Sequence, residues 1–372
     1  MQFGPTSIEP SLQVNETFND NIFATPTDHR ADAITNILGT SKIDYTEGPN
    51  TGQLIARILD HIYAVNPSQT DWEGSLGGIY RHQVQDDLEL NIGGDVQRLI
   101  LPRTDPTGQG GLGPTTFEVY DAFAGAVYGD RLNNLLSLRL GAIQTSFDPL
   151  QGLTGPINTS QRNLHEIYAV GHFEHALSAL QDKLFAEFRP NVRTYDHEFD
   201  TSGFRNSSSG GQATFGGTFN KNEVFFVTLS TGFQIQSYDD PRFGTVTEPN
   251  GSVKVSWWPT RLTSLNFNFD HEYQEAFFET NPGVVQNTAS LELDHELQRN
   301  LIASVSASMY DLDVVRSSSE RLQRQIGEAK LQYQLATGFV IVVDYAYTHQ
   351  TGSGGLTAFD QNLFTVNLKK LF

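Results

Sequence analysis

Between Leu301 and Met309 the apolar residues fall on alternate positions: Leu301, Ala303, Val305, Ala307 and Met309, with Ser304, Ser306 and Ser308 between them. Side chains point to opposite faces at period two along a strand, so this stretch is a ribbon with one greasy and one polar face. The same pattern recurs along the whole chain in stretches of about 9–16 residues separated by turn residues. Leu265, Phe267 and Phe269 alternate with Asn266, Asn268 and Asp270. Ala289, Leu291 and Leu293 alternate with Ser290, Glu292 and Asp294, and Leu136, Leu138 and Leu140 with Ser137, Arg139 and Gly141. Counting these ribbons predicts about eighteen strands (16–18). That many strands cannot make one flat sheet, because twist forces a large sheet to curl or close.

The connectors predict which closure. Short ones, such as Gln85-Asp86, Asn220 to Glu223, Pro259 to Arg261 and Gln298 to Asn300, recur at every second junction. Long polar ones fall between them, including Pro102 to Pro114, Phe147 to Asn163, Asp196 to Gly211 and Tyr238 to Asn250. Short turns at one end and longer loops at the other predict an all-β, closed antiparallel transmembrane barrel, with periplasmic turns and extracellular loops. No linker divides residues 1–372, so one domain is expected. Arg321 to Leu335 is also compatible with a helix, although Ala329 to Leu335 alternates. Mean hydropathy is −0.34, and no run of 18 apolar residues occurs, which excludes a helical span but not a barrel whose strands are half polar. The opening MQFGPTSIEP lacks the basic start and apolar stretch of a secretory leader.

The final stretch, Asn362 to Phe372, puts Phe364, Val366, Leu368 and Phe372 on one face and Thr365, Asn367 and Lys369 on the other. An apolar strand ending on an aromatic is expected to be the closing strand and the signal for barrel-assembly machinery. Aromatics near strand ends (Tyr80, Tyr120, Tyr168, Trp257, Trp258, Tyr273, Phe277, Phe278, Tyr345, Tyr347) are expected to form girdles at the lipid headgroups. The expected surroundings are outer-membrane lipid and lipopolysaccharide, with periplasmic export components as a further partner.

Leu12 to Ile37 carries the run Glu16-Thr17-Phe18-Asn19-Asp20-Asn21-Ile22-Phe23, then Thr25-Pro26 and Ala31-Asp32-Ala33-Ile34-Thr35. This resembles the opening of the putative β-barrel porin 2 family, whose first strand carries a Glu-Thr-aromatic-x-Asp-Asn-Ile/Val-Phe run followed by a Thr-Pro turn. The resemblance implies a bacterial outer-membrane barrel. Members are often associated with exopolysaccharide or capsule production, which implies export of polysaccharide.

No enzyme is expected. The chain has no cysteine, which removes thiolate chemistry. His165, His197, His271 and His295 each precede a Glu, but none has a second His at the spacing of a zinc-protease helix. His172, Glu174 and His175 make a poor metal set, because in a strand His172 and His175 face opposite ways. No GxSxG, phosphate loop or dinucleotide fingerprint occurs, and no cofactor is expected. A formal charge of −19 argues against nucleic acid.

The polar faces, turned inward, are expected to line a pore. Its basic residues would be Arg139, Arg189, Arg193, Lys254 and Lys330. Its acidic ones would be Glu89, Glu187, Asp270, Glu292, Asp294 and Asp344, with Glu272 and Glu296 beside them. Rings of charge set pore selectivity, and an acidic excess would favour cations or neutral sugars over polyanions. Tyr168 and Tyr333 are candidates for stacking on sugar rings. The function expected is passage of polysaccharide or small hydrophilic solutes. A loop-plugged barrel serving as adhesin or scaffold is the alternative, with an outer-membrane hydrolase or a soluble glycan binder behind it.

Overall fold

The computed structural model describes residues 2–105, 111–130, 132–152, 155–178, 182–275, 281–317, 319–335 and 338–371. Its main sheet has nineteen strands, one of them the two-residue Gln2–Phe3, which leaves eighteen long strands. The first seven are β1 (Thr6–Asn19), β2 (Asp32–Glu47), β3 (Asn50–Tyr63), β4 (Asp71–Gln85), β5 (Leu88–Leu101), β6 (Thr115–Gly129) and β7 (Asn134–Phe147). Next come β8 (Leu164–Ala176), β9 (Lys183–Tyr195), β10 (Ser208–Lys221), β11 (Phe225–Tyr238), β12 (Thr245–Thr260) and β13 (Thr263–Gln274). The last five are β14 (Val284–Gln298), β15 (Leu301–Val314), β16 (Arg321–Gln334), β17 (Phe339–Gly352) and β18 (Phe359–Leu371).

Every strand pairs antiparallel with the next, and β18 pairs back onto β1 through Phe18↔Phe364 and Thr17↔Thr365. Closure removes both sheet edges, so each strand's backbone groups meet a neighbour on either side. A small hairpin, Leu150–Gly152 with Gly155–Ile157, lies outside the ring.

The greasy rows face outward. Ile167 is 68% exposed and Val305 59%, so these side chains are not sandwiched between layers. Phe364, Val366 and Leu368 stand in the same outer face, paired with Tyr345, Val343 and Ile341; Phe372 lies outside the described residues. Tyr80, Tyr120, Trp257, Tyr345 and Tyr347 are outward as expected. Tyr168 and Tyr273 are not: both are buried. Tyr168 lies across Gly141 of the neighbouring strand, where a Cβ would come within 2.5 Å of the ring. Trp258, past a register shift, packs edge-on against Phe226. Phe277 and Phe278 lie outside the described residues.

Among the described residues a compact apolar core forms at the long-loop end, where Val284, Leu312, Val314 and Leu322 cluster with Leu356 and Tyr310. Two loop expectations change. Ser208 to Gly211 belongs to β10, and Thr245 to Asn250 to β12. Near the long loops the outer face no longer needs to be apolar, so Thr245 and Thr247 continue the ladder opposite Ser237 and Ile235 without the alternation. Arg321 to Leu335, compatible with a helix by sequence, contains strand β16.

Candidate pore and its constriction

Register fixes the inner face. Glu89 lies 3.7 Å from Arg81, and Arg139 covers the Phe123 ring at 4.3 Å. Glu187 meets His172 Nδ1 at 3.1 Å, which turns His172 inward while His175, opposite Leu184, points out. Lys254 stands between Thr228 and Asn268, and Asp270 between Ser252 and Thr288. Glu292, Asp294, Lys330 and Asp344 occupy two adjoining rows, with Lys330 Nζ 3.6 Å from Glu292. Arg189 and Arg193 converge on Glu166. These charged residues share the face of their strands opposite the outward Leu, Phe and Val rows.

Of the two tyrosines expected to stack on sugar, Tyr333 is outward, paired with Leu301 and Ile341. Tyr168 is inward but covered by Arg189 at 5.0 Å, and its hydroxyl donates to Asp121 at 3.1 Å. Neither ring offers a free face to the lumen.

Eighteen strands enclose more space than their own side chains fill. Here a loop enters it. The segment after β5 crosses to the far wall, where Arg324 Nη2 of β16 donates to the Thr104 carbonyl at 2.5 Å. Arg324 Nε also donates to Gln350 Oε1 at 2.7 Å, and its guanidinium lies 5.3 Å over Tyr310. At the near side Arg103 donates to Gln69 Oε1 and to the Gly113 carbonyl. The Phe23 ring is flanked by Arg30 and Arg103, each 5.8 Å from its centroid. Three loops are therefore tied together over the β1–β6 side, and one of them is pinned to β16.

On the opposite side Glu166 Oε1 accepts from Arg189 at 2.5 Å and Oε2 from Arg193 Nε at 2.9 Å. Arg193 Nη1 also pairs with Glu275 at 3.0 Å. Burial pushes the Glu275 carboxyl above its ordinary pKa, with Arg193 pulling against that. Burial likewise draws the Arg162 guanidinium down. Among the described residues no group of three or more His, Asp or Glu could hold a metal ion.

Glu166, Arg324, Arg103 and Glu275 are absent from the sequence expectation. Arg324 had a signal: the inward period runs back from Lys330 through Glu328 and Ile326 to position 324. The partners of Arg103 and Glu275 are set by loop conformation, which carries no period.

The whole architecture resembles solved porins. OccK2 (OpdF) from Pseudomonas aeruginosa matches at 13% identity, 98% of both chains and a TM-score of 0.57. OpdK from the same organism matches at 13% identity, 98% of this chain, 99% of that one and 0.54. OccAB3 from Acinetobacter baumannii matches at 10% identity, the full length of both chains and 0.53. OccK2 has been solved with glucuronate and OpdK with vanillate. At such identities the likeness is one of fold. No curated protein sequence matches significantly. None of these similarities carries the polysaccharide-export expectation. The family is one of β-barrel porins, and OpdK is an outer-membrane protein. Residues 1–371 match the family described as Putative beta-barrel porin 2, and the chain belongs to that family of bacterial outer-membrane barrels.

Proposed function

We propose that this barrel is a diffusion channel for small hydrophilic solutes, and not a conduit for long polysaccharide. The observation that carries this reading is the loop pinned across the lumen by Arg324 and Thr104. A polar inner wall keeps the path wet, while a crossing loop limits the width of what passes. A long polymer would have to thread that eyelet along its whole length. Solved structures of similar fold hold small acids, vanillate in OpdK and glucuronate in OccK2.

Liposome swelling with sugars of graded mass tests it. Monosaccharides and disaccharides should enter, and the rate should fall steeply for larger oligosaccharides. Arg324→Ala, which frees the loop, should raise single-channel conductance in planar bilayers and move the size limit upward. Free passage of dextran by the native barrel, or no conductance at all, would overturn the proposal.

A further inference from the structure

A cavity of about 430 Å³ opens in the long-loop half of the barrel, lined from β7 to β11 and β13. That volume is within the usual range for a small-molecule site, roughly 300–1,000 Å³. Its ionic groups cancel: Arg162, Arg189 and Arg193 stand against Glu166, Glu272 and Glu275. Glu166 is already gripped by two arginines, and Arg193 bridges on to Glu275. A ligand carboxylate or phosphate would have to break those pairs and leave a protein carboxylate behind without its partner. The site is therefore built against a net charge.

The rest of the lining is rich in amides. Asn191, Gln212, Gln234 and Gln274 all border the cavity. A side-chain amide offers both an acceptor oxygen and N–H donors, which suits a hydroxyl that also donates and accepts. Asn191 is oriented by Gln236 Nε2, which donates to its Oδ1 at 3.2 Å across Gly210. A Cβ at Gly210 would fall 2.5 Å from Gln236 Oε1, so the glycine is what permits this bridge. Phe147, the one phenylalanine of the lining, has neither ring face free: Phe117 stacks on it at 5.0 Å and Arg162 lies over it at 4.0 Å. A flat aromatic ligand finds no stacking partner on it.

From this we infer that the cavity binds a neutral, hydroxyl-rich solute of monosaccharide to disaccharide size. The inference rests on the channel reading and deepens it by naming the solute class.

The purified barrel in a planar bilayer is titrated with maltose and, separately, with glucuronate. Maltose should interrupt the current in a concentration-dependent way and at lower concentration than glucuronate. The double variant Gln212→Ala/Gln234→Ala should raise the half-blocking maltose concentration about ten-fold, as expected for losing two ordinary hydrogen bonds. Heat-modifiable gel migration confirms that the variant is folded. Calorimetric titration of maltose into the detergent-solubilised barrel reads binding without any current. An ion-conducting barrel with neither heat nor block from maltose, a preference for glucuronate, or unchanged block in the double variant overturns the sugar site and leaves the channel standing. Heat from maltose in a barrel that carries no current overturns the channel and leaves the site.

Discussion

Glu166 shows what a single residue does in this wall. Its side chain is 8% exposed and faces two guanidinium groups, one of which reaches a second carboxylate. Removing one partner of a buried ionic group costs about 3–5 kcal/mol, because the remaining charges stay out of water without compensation. Glu166→Ala should therefore lower unfolding free energy by about that amount, read by denaturant titration of the folded barrel in detergent. Glu166→Gln, which keeps an acceptor, should lose less. A loss for Glu166→Ala indistinguishable from zero would mean that water reaches Arg189 and Arg193 more freely than the burial indicates. The inward direction of Glu187, Arg189 and Arg193 was legible in the sequence, since a polar residue between greasy neighbours such as Leu184, Ala186 and Phe188 must take the other face. Their convergence on Glu166 was not. It depends on the β8–β9 register, Glu166↔Arg193, and on a residue just past the end of β13, neither of which leaves a local pattern.

At the scale of elements, the seam between β1 and β18 is the join that turns a sheet into a barrel, and it has a clasp at its long-loop end. Asp20 Oδ1 and Oδ2 accept from the backbone N–H and side-chain amide of Asn362, each at 2.7 Å. Asn21 Nδ2 donates to the carbonyls of Asp360 and Thr25, and Gln361 Nε2 donates to the Asn21 carbonyl at 2.8 Å. The run that signals the family in the sequence is thus also the latch: Asp20 and Asn21 hold β18, Ile22 is buried, and Phe23 receives the two arginines. Stranding buried carbonyls costs about 1–3 kcal/mol, so Asn21→Ala should melt at lower temperature on heat-modifiable gels while keeping its strand signal by circular dichroism. An unchanged melting point would show that the backbone pairs Thr17↔Thr365 and Phe18↔Phe364 close the seam unaided. The strands themselves were legible because lipid on one face and water on the other impose period two. Thr245 to Asn250 and Ser208 to Gly211 lie near the loops where that constraint lapses, which is why they read as loop.

For the whole molecule, the balance of inward charge decides which ions prefer the path. Near the crossing loop arginines dominate, with Arg103 and Arg324 tied to backbone carbonyls. Toward the short turns the balance reverses. Glu292, Asp294, Glu328 and Asp344 gather on adjoining strands around the single Lys330. Glu296 lies farther along β14 in the same acidic sector. A low-dielectric wall around an aqueous lumen focuses such a field. Net cation preference should follow, visible as the sign of the reversal potential under a potassium chloride gradient. Screening sets its range: the Debye length is about 10 Å at 0.1 M and about 3 Å at 1 M. Selectivity should therefore be clear near 0.1 M and fade toward that of bulk solution near 1 M. Glu292→Gln/Asp294→Asn should move the low-salt reversal potential toward zero and leave the high-salt value unchanged. Anion preference at low salt would place the controlling field at the arginines of the eyelet instead, and the same double variant would then leave the potential where it was.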